Sequence, residues 1–231
     1  MGTTRDYQEQ TGCLNFLSFC TRPDITYTVM RLCEANAGPS EDHWKLNQHL
    51  WRYLGANLNR GLKCGGRFPI DNLKLCAYGD ASFANDLLTR ASVGGHVVML
   101  ASTPVAWRSK KQTLVTLSTS EAEFVNLTPT AKALYWARNV LEEAGFNQPE
   151  PQILFTDSAN ARHIALNPAQ TARTYHLDLR HKWIISAVAK GDFHLVHVAS
   201  KDMVADGLTK GLDKIAHERF VQQLGMASPP K

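Results

Sequence analysis

Leu117-Ser118-Thr119-Ser120-Glu121-Ala122-Glu123-Phe124 is the stretch on which the reading of the fold turns. Ser118 followed three residues later by Glu121 has the form of a capping box. From about Thr119 the chain reads as one long helix reaching Ala144 and ended by Gly145, with a kink expected at Pro129. Glu123 shares a stripe with Leu127, Thr130, Leu134, Ala137 and Leu141, at spacings of 4, 7, 11, 14 and 18 residues. That apolar stripe is the face such a helix turns to a sheet, so Glu123 is carried toward the strand ends. Glu121 aligns instead with Val125, Thr128 and Lys132, a more polar face. In an alternative register Ser120 becomes the cap and Glu123 the capping acid, which would exchange the two roles.

Outward from this helix the rhythm is that of strands. Before it, residues 73–78, 94–100 and 104–108 are short, apolar and spaced like an antiparallel meander. After it come a strand at 153–156, a helix at 159–166 and a loop opened by Asn167-Pro168. A long helix from about 177 to 189 is stopped by Gly191, and a strand at 193–198 precedes further helices. Strands interleaved with helices in this order predict an α/β fold with a mixed central sheet flanked by helices. Upstream, Cys64-Gly65-Gly66-Arg67-Phe68-Pro69 breaks the pattern. Before the break, residues 7–58 read as helices separated by turns, one of them starting at Ser40 with His43 at its third position. The expected organisation is a small helical segment over residues 1–64 and a larger domain over 70–226.

Composition narrows the class. The 231 residues carry 25 Lys and Arg against 21 Asp and Glu, a net charge of +4, with 44% hydrophobic and 20% charged residues. This excludes a disordered chain, a collagen-like repeat and a disulfide-rich mini-protein, and it permits a polyanionic partner without demanding one. The five cysteines, Cys13, Cys20, Cys33, Cys64 and Cys76, are odd in number and form no C-x-x-C pair. Neither a disulfide framework nor a structural zinc site is suggested, and reduced thiols are expected. No stretch approaches the ~20 apolar residues of a membrane span. The residues at the start lack an apolar signal region, and Asp6 stands where a myristoylation signal wants Ser or Thr. The expectation is an intracellular protein, cytoplasmic or nuclear, neither secreted nor bound to membrane.

Acids recur where this pattern brings segments together. Asp80 is expected after the first strand of the meander, Asp157 after the next strand beyond the long helix, Glu123 in the first turns of that helix, and Asp206 in a helix after the last strand. Carboxylates converging at strand ends would not stay ionised together without cations. All-oxygen ligation suits Mg²⁺ or Mn²⁺, and two such ions ~3.5–4 Å apart can clamp an in-line attack on phosphate. Taken singly, Asp80 could instead cap a turn and Asp157 could cap the helix at 159–166.

Six segments occur in order: Tyr78-Gly79-Asp80-Ala81-Ser82-Phe83, Trp107-Arg108-Ser109-Lys110-Lys111-Gln112, residues 117–124, Phe155-Thr156-Asp157-Ser158-Ala159-Asn160, His176-Leu177-Asp178-Leu179-Arg180 and Val204-Ala205-Asp206-Gly207-Leu208-Thr209-Lys210. The series resembles the ribonuclease H region at the end of the polyprotein of copia-type LTR retrotransposons. Thr21-Arg22-Pro23-Asp24-Ile25, His43-Trp44 and Trp51-Arg52-Tyr53-Leu54 resemble the tail of the reverse transcriptase just upstream. The resemblance implies a ribonuclease H-like fold and four metal-binding, catalytic acids: Asp80, Glu123, Asp157 and Asp206. It implies two Mg²⁺ ions, with Mn²⁺ as a substitute, and hydrolysis of the RNA strand of an RNA–DNA hybrid. The implied partners are that hybrid and the upstream reverse transcriptase part of the polyprotein.

This chain departs from the family at Ser82-Phe83, where Asp-Trp is usual, at Ser158, where Asn is usual, and at Gly207 and Gly211. Ala199-Ser200-Lys201-Asp202 lacks the histidine that many ribonucleases H place before the last aspartate; nearby His197 reads as a packed or surface residue. Arg108, Lys110 and Lys111 beside Trp107 could line the hybrid's phosphates. His176 and His181 are five apart and read as structural, Asp178 and Arg180 as a surface pair, and Asp86 and Arg90 as turn residues. The alternative function is a catalytically silent retroelement remnant that binds nucleic acid or a partner. A different nuclease on the same fold is a third reading.

Overall fold

A computed structural model describes residues 2–65, 73–86, 89–148, 150–167 and 179–228. In chain order its first elements are α1 (Thr4–Cys20), α2 (Thr26–Glu34), α3 (Glu41–Ala56), β1 (Gly61–Leu62), β2 (Leu75–Ser82), β3 (Val93–Leu100) and β4 (Thr103–Lys111). They are followed by α4 (Thr119–Glu143), β5 (Gln152–Thr156), α5 (Ala159–Leu166), α6 (Leu179–Ala189), β6 (Phe193–His197), α7 (Lys214–Gln223) and β7 (Met226–Ala227). These elements form two compact units, Met1–Cys64 with Gly211–Lys231, and Gly65–Lys210. No helix among the described residues is long and apolar enough to cross a membrane.

In the first unit, Tyr7, Leu14, Ile25, Val29, Leu32 and Leu50 form the core shared by α1, α2 and α3. The Tyr7 hydroxyl donates to the Leu32 carbonyl at 3.0 Å, so its one polar atom is satisfied where it is buried. The Arg22-Pro23-Asp24 segment holds a buried ion pair, Arg22 Nη2 to Asp24 Oδ2 at 2.7 Å, and the Tyr53 hydroxyl donates to the same oxygen at 2.7 Å. At the start of α3 the Ser40 amide donates to His43 Nδ1 at 3.1 Å, the cap expected there. The sequence reading gave residues as far as 226 to the second domain, whereas Gly211–Lys231 cluster with these helices. Long-range contacts account for it: β7 pairs antiparallel with β1, Glu218 takes Arg60 at 3.0 Å, and His217 meets Tyr53 edge-on at 5.4 Å.

The second unit is built on a five-stranded sheet in the order β4-β3-β2-β5-β6. Strands β2, β3 and β4 are antiparallel neighbours, while β5 runs parallel to β2 and β6 parallel to β5. This is the mixed central sheet flanked by helices that the sequence predicts. The core draws Ala77 and Val98 from the sheet's antiparallel part, Leu154 and Leu195 from its parallel part, and Leu127 and Leu134 from α4.

Two boundaries differ from expectation in ways that matter for the acids. The strand expected at 73–78 runs from Leu75 to Ser82, so Asp80 lies within a strand and not after it. Pairing carries it on, because Asp80 and Ala81 face Gly95 and Gly94 of β3 and keep the ladder intact. Asp206 opens a single 3₁₀ turn, Asp206–Leu208, and not a longer helix. Of the segment expected to begin a helix at 177, the described part is α6, from Leu179. His176 and Asp178 lie outside the described residues, as do the side chains of Arg180 and His181.

Three glycines set how closely this unit packs. A Cβ on Gly79 would lie 2.5 Å from Thr130 Oγ1, and one on Gly95 would lie 2.7 Å from Leu208 Cβ. A Cβ on Gly94 would meet Asn126 Oδ1. The Asn126 side chain is clamped there, its Nδ2 donating to the carbonyls of both Asp80 and Gly95 at 2.8 Å. Overfilling so tight a contact typically costs about 1–3 kcal/mol. Gly95→Ala should therefore lower the unfolding free energy measured in urea by about that amount, while Gly55→Ala, with nothing within 4 Å of the new carbon, should leave it unchanged or raised.

Candidate metal centre

Parallel pairing of β2 with β5 sets Tyr78 opposite Phe155, and each strand's acid follows two residues later, Asp80 in one and Asp157 in the other. Both carboxylates are thus delivered to the same end of the sheet. Helix α4 crosses that end with Glu123 on its buried face: Glu123 is only 5% exposed, and Leu127, Thr130, Leu134 and Ala137 of the same stripe are buried with it. One carboxylate oxygen from each of Asp80, Glu123 and Asp157 lies within 4.8 Å of the others. Asp206 stands outside this group but on the wall of the same pocket of about 670 Å³. Its Oδ1 is engaged by Lys210 Nζ at 2.5 Å.

The competing structural roles fall to neighbours. Ser158, and not Asp157, caps α5, accepting from the Ala161 amide at 3.1 Å. Ser118 caps α4 by accepting from the Glu121 amide at 3.2 Å. Glu121 reaches back one residue further than expected, its Oε2 accepting the Leu117 amide at 2.7 Å. The face shared by Glu121, Val125 and Thr128 is less polar in effect than its sequence suggests, since Val125 and Thr128 are buried.

Burial pushes the Asp80 carboxyl above its ordinary value; the Thr209 hydroxyl, which donates to its Oδ2, opposes this, and the charges of Asp157 and Asp206 add to it. Glu123 is pushed up to about 10, first by burial and then by the charge of Asp80. Glu123 Oε1 accepts the Ala81 amide at 3.1 Å, but Oε2 is buried with no hydrogen-bond partner among the described residues. A buried, unpartnered carboxylate oxygen facing two further carboxylates needs either a proton or a cation. The donor set is all oxygen, which fits a hard divalent ion.

Thr209 and Lys210 are the residues that motif reading passed over. They lie in the quoted Val204–Lys210 segment, yet their roles depend on contacts across space: Thr209 reaches Asp80, and Lys210 turns back one helical turn to Asp206. His197 lies on the surface beside the site, its Nε2 3.0 Å from the Asp157 carbonyl. Of the three basic residues singled out on β4, Arg108 and Lys110 are exposed, whereas Lys111 is paired with Asp86 at 2.6 Å. Asp86 also accepts from the Thr89 amide at 2.7 Å and so organises the turn expected there.

The raised Glu123 value gives a signed expectation. A carboxyl that folding raises from its unfolded value contributes stability that is full below that unfolded value and is lost as pH rises through the folded one. With chelator present, the wild-type melting temperature should therefore fall as pH rises from about 6 to 9. Glu123→Gln, which has no proton to lose, should fall less, and parallel curves would show that Glu123 is already ionised. A divalent ion should raise the wild-type melting temperature and affect Asp80→Asn less.

No family model matches the chain. It is 34% identical over 227 residues to a retrovirus-related Pol polyprotein from transposon RE2 of Arabidopsis thaliana, covering 97% of this chain and 15% of that one. It is 32% identical over 222 residues to the Pol polyprotein from transposon TNT 1-94 of Nicotiana tabacum, covering 96% of this chain and 16% of that one. Among solved structures, LC11-RNase H1 isolated from compost is 13% identical, with a TM-score of 0.37, covering 59% of this chain and 93% of that one. The chain thus spans about 15% of the length of the curated relatives it matches. Aligned with them over nearly all of its own length, it belongs to the retrovirus-related Pol polyproteins of transposons, as the ribonuclease H region of a copia-type polyprotein.

Proposed function

We propose that the unit Gly65–Lys210 is an endonuclease that hydrolyses the RNA strand of RNA–DNA hybrids. The observation that carries this reading is the convergence of Asp80, Glu123 and Asp157 within 4.8 Å around a buried, unpartnered Glu123 oxygen. Asp80, Glu123 and Asp157, joined by Asp206, would hold two Mg²⁺ or Mn²⁺ ions. When bound, such ions supply a more acidic water as nucleophile and charge to stabilise the leaving oxygen.

The chain's own groups do the rest. Thr209 fixes one Asp80 oxygen by donating to it, which leaves the other free to face the pocket. The Ala81 amide does the same for Glu123. Lys210 neutralises Asp206 and brings a cation to the rim, where it can meet a phosphate. The pocket's other lining includes Ser82, Ser120, Ser158 and Ser200, small groups that leave room for a backbone to enter. In this reading Arg108 and Lys110 on β4 contact phosphates of the hybrid, and the 2′-hydroxyl and A-like shape select the RNA strand. The helical unit Met1–Cys64 is read as the tail of the reverse transcriptase, its partner being the upstream part of the same polyprotein.

The test is a labelled RNA–DNA hybrid titrated with Mg²⁺, with duplex DNA and duplex RNA as controls. Cleavage should be confined to the RNA of the hybrid. Asp80→Asn and Asp157→Asn should abolish it while hybrid binding survives or improves. Glu123→Gln should also lose cleavage, whereas Glu121→Gln should keep it and lose only helix capping, a cost on the order of 1 kcal/mol. Equal cutting of all three duplexes would mean a different nuclease, and binding without cutting would mean a silent module.

A further inference from the structure

A second cavity, of about 240 Å³, opens between the β3–β4 edge of the sheet and the middle of α4. Its origin is in the register. Gly94 and His96 of β3 lie opposite Lys110 and Arg108 of β4. Alternate residues share a face, so the two cations stand together beside the hollow that Gly94 and His96 also line. Lys132 of α4 closes the far side. None of the lining residues is acidic. Arg108 and Lys110 have no ion pair among the described residues, and the Lys132 ammonium has only the Trp183 ring, 6.0 Å away.

Arg108, Lys110 and Lys132 are exposed cations converging on one hollow with no acid in its lining, an arrangement that favours an anion. Two further observations point the same way. The Thr128 hydroxyl, in a side chain only 4% exposed on the cavity wall, has no hydrogen-bond partner. His96, 8% exposed, is pushed down to about 4 by burial and then by Arg108, so it stays neutral and can offer a ring N–H without adding charge. At about 240 Å³ the cavity has room for one phosphate group.

We propose that this cavity is a phosphate-binding site, gripped by Arg108, Lys110 and Lys132. The phosphate of a nucleic-acid strand and that of a free nucleotide share this chemistry. The site needs no metal; it rests on and deepens the reading in which Arg108 and Lys110 contact the hybrid's phosphates, adding Lys132 and a defined cavity to them. It lies along α4 from Glu123, separated from the acidic pocket by Asn126, which lines this cavity and clamps the Asp80 carbonyl.

The experiment measures binding of a labelled RNA–DNA hybrid to the full chain in chelator, across a salt series. Arg108→Ala with Lys132→Ala should weaken binding and lower the slope of log affinity against log salt by about 1, the signature of one lost phosphate contact. Lys190→Ala, which removes a charge elsewhere in the unit, should do neither. Arg108→Lys with Lys132→Arg keeps the charge and should keep the binding, and matching melting curves exclude misfolding. A parallel arm follows the His96 ring by NMR as inorganic phosphate or AMP is added. Phosphate competition with the hybrid in the wild type but not in the double alanine variant assigns the site to strand phosphate. A His96 response to AMP, lost in that variant while hybrid affinity stays the same, assigns it to a free nucleotide. If the variant matches Lys190→Ala on hybrid and His96 ignores both anions, the proposal is wrong. Failure of the nuclease reading shows separately, as absence of product with Mg²⁺.

Discussion

Everything in the unit Gly65–Lys210 depends on backbone surfaces coming closer than side chains normally allow. At Gly79, Gly94 and Gly95 a single added carbon would collide with Thr130, Asn126 and Leu208. Two of the three contacts are with α4 and the third is with the turn that carries Asp206. Removing three Cβ atoms thus lets a helix and a turn settle on β2 and β3 together. Glycine in a strand interior is ordinarily a weakness, having no side chain to pack and more freedom to lose. Here the loss is offset by the Asn126 amide, whose two protons are shared between carbonyls of adjacent strands. The same clamp fixes the main chain of Asp80, and Glu123 stands one turn before Asn126 on the same helix. The geometry of the acids is inherited from that contact.

What the contact brings together is electrostatically unfavourable. Burial raises both Asp80 and Glu123; the charge of Asp80 raises Glu123 further, and those of Asp157 and Asp206 raise Asp80. The apolar stripe of α4 supplies the opposing force: Leu127, Ala131 and Leu134 are within 1% of complete burial, at about 25 cal/mol for each Å² of apolar surface removed from water. Because Glu123 is in register with that stripe, the helix cannot bury its leucines without burying the acid. The site is therefore preorganised at the expense of stability, and the hydroxyl of Thr209 and the ammonium of Lys210 relieve part of the strain with single, directional contacts.

That coupling explains what could be read from the sequence and what could not. The α4 register and the position of Glu123 were legible because helical periodicity is local and the apolar stripe is long. The positions of Asp80 and Asp157 near strand ends were legible to within a few residues. That Asp80 lies inside β2 was not, because a Gly-Asp-Ala-Ser run reads as a stop unless the partner strand offers glycines opposite it. The contact of Thr209 with Asp80 and the two-residue pairing of β7 with β1 depend on chain segments more than 100 residues apart, and no period announces them. The ion pair of Lys111 was hidden for a similar reason: its neighbours in sequence are basic, but its partner, Asp86, comes from the turn between β2 and β3.

The absence of a side chain at Gly94 admits Asn126 of α4, and both residues line the hollow that Arg108, Lys110 and Lys132 also line. Helix α4 therefore borders an acidic pocket at its first turns and a basic one in its middle, with a single buried amide between them. Opposite charges held on one rigid helix do not neutralise each other, because side chains that reach toward one another would have to cross the packed Asn126. A polyanion meeting this surface encounters repulsion where the carboxylates stand and attraction a short distance along the same element. Such a field orients a charged strand before any close contact forms. With cations bound the acidic pocket loses its repulsion, while the basic hollow, which owes nothing to metal, keeps its hold. On the proposed reading, binding and chemistry fall to separate residues at two places along α4, so that loss of one would not entail loss of the other.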